Sequence, residues 1–286
     1  MPTGISEIVN VTQEVIDSIV QRELKRKAIL LPTISDYTRL LKTGANGVKL
    51  PRAGTFSVQD KVENTAGSFS KLTPEVDLIP LDKYKAVFTQ IEDDVRKEST
   101  VNMEALYLRK MASAMGRQMD DDIYAELANV ADGTGTDEDG NALPDHRIDT
   151  NGGAITREFI LEARRLLDET EADEDRTLLI NPATEKELLN ISDFIDASKY
   201  GSSMPIQNGL IGTIYGIKVV KSNLVPDAEW CMYTKEHVGF IRNISMKFES
   251  QRAELRYLAD DMALSTKYGV ATLQLGRLGV RGFDVV

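Results

Sequence analysis

A chain of 286 residues with 42% hydrophobic and 28% charged content can bury a core without disulfide staples, which excludes a disordered or collagen-like polymer. One cysteine, Cys231, excludes an internal disulfide framework and fits a reducing compartment, and two histidines, His146 and His237, leave too few ligands for an ordinary zinc site. The net charge is −11, and residues 117–175 alone hold 18 acidic against 5 basic side chains, a balance that repels phosphate backbones and argues against broad nucleic-acid binding.

The first elements follow from spacing. Residues 12–27 read as an amphipathic helix: Thr12 is an N-cap, Val11 and Ile16 form a hydrophobic staple, and Arg22, Lys25, Arg26 and Lys27 suit the negative end of the helix dipole. Glu7, Glu14 and Asp17 without a basic partner in the first 20 residues predict no secretory signal, and the apolar runs are far too short to span a membrane. From 44 to 90 glycine and proline recur too often for helix. Extended stretches at 48–50, 55–58 and 83–91 frame a long two-stranded excursion whose polar tip, 60–73, holds few large apolar groups. Such a ribbon is marginal in water unless something covers it.

Residues 100–130 are the strongest helix. Met103, Tyr107, Met111, Met115, Met119, Ile123 and Leu127 recur every four residues, so the stripe drifts about 40° per step and needs more than one neighbour to cover it. Methionine at this spacing is the mark of adaptable core filling rather than of a metal or target groove. Residues 132–153 read as a loop. Its resemblance to a calcium loop fails at Ala142 and Ile148, where glycine and glutamate are needed. Beyond 155 the pattern becomes α/β. A helix runs from its cap at Thr156 to about 167, and a strand covers 177–180. Asn181 and Pro182 open a helix to about 191, a polar loop spans 192–209, and strands lie near 213–215, 217–221, 230–233 and 238–242. Two alternating stretches, at 246–251 and 271–275, read as further strands, and Asp260-Asp261 as a solvated turn.

No catalytic constellation stands out. Nucleophile elbow, phosphate loop and metalloprotease motifs are missing, and Gly209, Gly212 and Gly216 have the spacing of turn glycines, not of a dinucleotide fingerprint. Asp120, Asp121 and Asp122 occupy consecutive helical positions spread over about 200°, too wide for one metal. The residues by themselves give an α+β protein with a projecting ribbon; a soluble α/β enzyme or ligand-binding protein built on 151–241 stays open as an alternative.

Three stretches in order carry a resemblance. They are VDLIPLDKYKAVFTQIEDDVRKE at 76–98, ILEARRLLDETEADEDRTLLINPATEKELL at 160–189, and GLIGTIYGIKVVKSNLVP at 209–226. Together they are similar to the major capsid proteins of tailed bacteriophages, with the fold named after phage Hong Kong 97. The resemblance covers about 45–286. It implies an N-terminal arm (1–44), an extended β-hairpin E-loop (45–90), a discontinuous peripheral domain (91–150 and 242–286) with a spine helix at 100–130, and an α/β axial domain (151–241). The function implied is an icosahedral shell of pentamers and hexamers enclosing a phage genome, with no cofactor, no catalysis and no membrane. The implied partners are copies of the chain itself, with a portal, decoration proteins and either a separate scaffolding protein or none. The implied locations are the virion and, during assembly, the host cytoplasm. An encapsulin nanocompartment is the alternative with the same fold. Expected contact residues are Lys61, Phe69, Lys71 and Leu72 in the E-loop and Tyr200 and Met204 in the axial loop. Some members crosslink a loop lysine to a neighbour's asparagine; neither Lys61 nor Lys71 is assigned that role.

Overall fold

The computed structural model describes residues 28–52, 58, 60, 63, 75–92, 103–137, 139–151, 154–188, 210–253 and 259–283. The helix expected at 12–27, most of the extended stretch at 55–58 and its tip, and the loop at 192–209 lie outside them.

The long helix α1 (Met103–Leu127) is the axis of the molecule, about 37 Å at 1.5 Å per residue. Leu108, Met111, Ala112, Met115, Met119, Ile123 and Leu127 are all buried. Two neighbours cover the drifting stripe. One is a four-stranded sheet in the order β1 (Ser35–Asp36), β10 (Val238–Ala253), β11 (Ala259–Thr272), β4 (Lys83–Glu92). The other is a six-stranded sheet in the order β5 (Arg147–Asp149), β12 (Gly279–Phe283), β9 (Trp230–Thr234), β6 (Arg176–Ile180), β8 (Ile217–Lys221), β7 (Leu210–Ile214). Phe248, Met262, Leu264 and Val270 from the first sheet share one core cluster with Leu179, Val220, Cys231 and Tyr233 from the second. The methionines of α1 are therefore core, as their spacing predicts.

The acidic triplet on α1 does diverge. Asp120 is buried and accepts the backbone N–H groups of Ile29 (2.8 Å) and Leu30 (3.2 Å), which fastens the start of the described chain to the helix. Burial pushes its carboxyl up to about 6 against the pull of those two bonds. Asp122 faces the other way and accepts from the Tyr268 hydroxyl at 2.7 Å.

The far face of the six-stranded sheet packs on α2 (Arg157–Glu169), whose Ile160, Ala163, Leu166 and Leu167 meet Leu178, Ile180, Val219, Trp230 and Met232. Thr156 caps this helix by accepting from the Phe159 N–H, and Asn181 caps α3 (Pro182–Leu188) by accepting from the Thr184 N–H at 2.6 Å. Both caps stand where the sequence puts them. Helix α3 is described to Leu188, so the rest of the helix expected to 191 lies outside the described residues.

Four expectations change. The stretch at 83–91 does not belong to the two-stranded excursion: it is β4 of the four-stranded sheet, held by β11, and the excursion pairs Gly47–Arg52 with Glu75–Pro80. Asp260 and Asp261 are not a turn: they lie inside β11, where Asp260 pairs with Arg252 on β10, and the two strands run on for 14 and 16 residues. The alternation at 271–275 is not a strand throughout. It ends at Thr272, and Gln274–Gly276 forms a tight turn with positive φ at all three residues. The loop at 132–153 contains the short strand β5, paired with β12 through Arg147↔Arg281 and Asp149↔Phe283.

The hairpin of β2 (Gly47–Arg52) and β3 (Glu75–Pro80) lies across one end of the four-stranded sheet, on the face away from α1. Val48, Ile79 and Leu81 pack on Ile241 and Leu273. The close approach needs glycine beneath it. A methyl added at Gly269 would meet the Pro80 carbonyl oxygen at 1.8 Å, and one at Gly239 would meet Ile79 Cδ1 at 2.5 Å.

Candidate assembly surface

In strand β4 the sequence alternates, and so does exposure. Lys83, Lys85, Val87, Thr89 and Ile91 turn toward α1, while Tyr84, Ala86, Phe88, Gln90 and Glu92 turn outward. The inner set is half-buried or buried because α1 lies over it. The outer set has no cover among the described residues: Phe88 is 76% and Tyr84 64% exposed. The register aligns Phe88 with Ala263 and Glu249, and Ala86 with Ser265 and Lys247, across three strands. On this face Phe88 and Ala86 lie beside Ala263 and Ser265, with a Lys247–Glu249 ion pair on the next strand. Among the described residues, no strand pairs with the outer edge of β4. Large aromatics on an exposed strand face at a sheet edge are an aggregation hazard unless a partner covers them.

The hairpin repeats the pattern. Opposed residues of an antiparallel pair share a face, so the register Val48↔Ile79, Lys49↔Leu78, Leu50↔Asp77, Pro51↔Val76 sorts them. Val48 and Ile79 face the core. Leu78 and Val76, each 51% exposed, face out beside Lys49 and Pro51. At the end of the hairpin that borders 53–74, Arg52 ties the two strands together through ion pairs with Glu75 and Asp77. Asp77 in turn accepts the Gln274 N–H at 3.0 Å, anchoring β3 to the turn after β11. The hairpin is thus held rigidly at its root, with an apolar outer face leading toward 53–74.

Burial sets the chemistry of the interior. Cys231 is 1% exposed, and burial pushes its thiol up to about 12, which leaves no nucleophilic thiolate. Burial also raises the Tyr124, Tyr233 and Tyr268 hydroxyls. Among the described residues no three His, Cys, Asp or Glu side chains come together as a metal site.

All six residues expected at contacts, Lys61, Phe69, Lys71, Leu72, Tyr200 and Met204, lie outside the described residues. The surface that is described, Tyr84, Phe88, Val76 and Leu78, was not singled out from the sequence. A signal was there. The stretch KYKAVFTQIE carries large apolar groups on both faces of a strand, Val87 and Ile91 on one and Tyr84 and Phe88 on the other. One helix can cover only one of those faces.

A family model for phage capsid proteins matches residues 75–273. A search of curated proteins finds no match. Among solved structures, the chain is similar to the capsid of cyanophage P-SCSP1u, with a TM-score of 0.71 and 16% identity over 88% of this chain and 86% of that one. It is similar to the capsid of cyanophage Pam1, with a TM-score of 0.68 and 13% identity over 91% and 92%. The similarity to a chain of Mycobacterium phage Che8 has a TM-score of 0.64 and 20% identity over 83% and 84%.

Proposed function

The chain belongs to the phage capsid protein family, and from that premise we propose that it is the major capsid protein of a tailed phage and that the outer faces of β3 and β4 are where its copies meet in the shell. The observation that carries this reading is the exposure of Phe88 and Tyr84 on a strand face that nothing covers among the described residues. The family match favours a phage shell over a cellular nanocompartment, and a structural role over catalysis.

In this proposal the chain divides into an arm (1–44), a loop (45–90), a peripheral domain (91–150 and 242–286) and an axial domain (151–241). The loop reaches over a neighbour, and Phe69 and Leu72 near its tip, with Lys61 and Lys71, complete the contact. The axial loop, with Tyr200 and Met204, meets its counterparts around five- and six-fold axes. Repeated contacts of this kind close into a shell, and many weak ones act together. The net charge of −11 suits a wall that encloses DNA without adhering to it. Assembly in the host cytoplasm, with a portal and decoration proteins, completes the proposal.

The test is a double variant, Tyr84→Ser with Phe88→Ser. Its subunit is expected to melt as the parent does while forming few or no shells, read by electron microscopy and sedimentation. Shells at the parent's yield would rule out this face as the contact.

A further inference from the structure

Two buried histidines occupy the place where the chain passes between the two sheets. Strand β9 belongs to the six-stranded sheet and β10 to the four-stranded one, and His237 lies in the short turn between them, just before β10 begins at Val238. Strands β11 and β12 make the return passage through Gln274–Gly276. Helix α1 ends at the same spot. The His237 ring nitrogen Nε2 lies 3.3 Å from the Leu127 carbonyl, and His146 Nδ1 lies 2.9 Å from the Gly279 carbonyl. A methyl on Gly279 would lie 2.6 Å from His237 Nε2, so the ring is seated directly on that glycine.

The tautomers follow from the partners. A carbonyl only accepts, so His146 carries its proton on Nδ1 and His237 carries its own on Nε2. The opposite nitrogens, His146 Nε2 and His237 Nδ1, are lone-pair acceptors. Both are buried with no hydrogen-bond partner among the described residues, and both rings are fully buried.

We propose that His146 and His237 form an acid-sensitive joint: protonation of either ring frees the turn between the sheets from its hold on the end of α1 and on β12. A proton added to either ring must go to the nitrogen without a partner and leaves a buried cation with an unsatisfied donor. The surrounding charges do not rescue both rings. Asp145 and Glu169 favour the cation on His146, Arg277 opposes it, and burial outweighs the balance. His237 meets no such carboxylate; burial and the neighbouring His146 hold it down to about 4. A base depressed in the folded state contributes stability that is complete above the ordinary value of 6.5 and is lost as pH falls through about 4.

The joint can be read through amides bonded across it: Arg281 donates to the His146 carbonyl, Leu273 to the His237 carbonyl, and His146 to the Ala131 carbonyl. In the full-length chain, the opening constant of these amides should rise roughly 30-fold from about pH 7.5 to about pH 5 through His237 alone, after correction for intrinsic exchange. In His237→Gln, which cannot titrate there, most of that rise should vanish. Exchange of the imidazole Cε1 hydrogens, followed by mass spectrometry, gives the ring titrations directly in the parent chain. Rings titrating near 6.5, a flat pH response in the parent, or a full response in His237→Gln would each overturn the proposal. If His237→Gln does not fold, the ring titrations of the parent decide alone.

Discussion

The two sheets solve the same packing problem to different degrees. In the six-stranded sheet, every residue of β6 and β9 is buried, because α1 lies on one face and α2 on the other. In the four-stranded sheet α1 covers one face, and the β2–β3 hairpin covers only one end of the second. The sheet covered on both faces is finished within one chain. The other exposes Tyr84 and Phe88 among the described residues, and on the proposal above a neighbouring copy covers them. Among the described residues, the two sheets of one subunit thus differ in how far their own chain covers them.

That contrast can be broken by experiment. Trp230→Ala, in the doubly covered sheet, is expected to lower subunit stability by about 3–5 kcal/mol, the range for a fully buried aromatic; a denaturant melt measures it. A loss under about 1 kcal/mol would show that α2 does not seal that face. Gly269→Ala pushes a methyl against the backbone of Pro80. It should cost about 1–3 kcal/mol and strip the β2–β3 amides of exchange protection while leaving β6 and β9 protected. Thr156→Ala removes the cap of α2 and should cost about 1 kcal/mol, with the exchange of α2 amides as its local readout. Phe88→Ser is the smallest change in the subunit, within about 0.5 kcal/mol, because an exposed side chain loses little on truncation. A melt shifted as far as that of Trp230→Ala would mean that Phe88 is core, and the contrast between the sheets would fail.

Local features were legible because local physics determines them. The cap at Thr156, the cap at Asn181 with Pro182 after it, and the methionine stripe of α1 all follow from hydrogen-bond geometry and helical period. The length of β10 and β11 was not legible. Asp260-Asp261 reads as a solvated turn because two adjacent carboxylates usually are one; pairing with distant strands on both sides, β10 and β4, makes the position a strand, and Arg252 answers the Asp260 charge. Strand β5 is three residues long and exists through its pairing with β12, more than 130 positions away. Of the contact surface, the alternation in β4 was readable, but its significance depends on which face α1 takes, and that is a tertiary fact.

The sulfur atoms suggest a last consequence. Cys231 and Met111, Met115, Met119, Met232, Met246 and Met262 are all sealed inside the fold. A virion persists outside any cell, with no reductase to repair a sulfoxide and no thiol pool to reverse a mixed disulfide. For such a particle chemical ageing is irreversible, and its pace at these positions depends on how often the interior opens as well as on how much oxidant surrounds it. The methionine row of α1 then becomes a recorder. Sulfoxide accumulating at Met115 or Met119 in stored material would count the openings that the subunit has undergone.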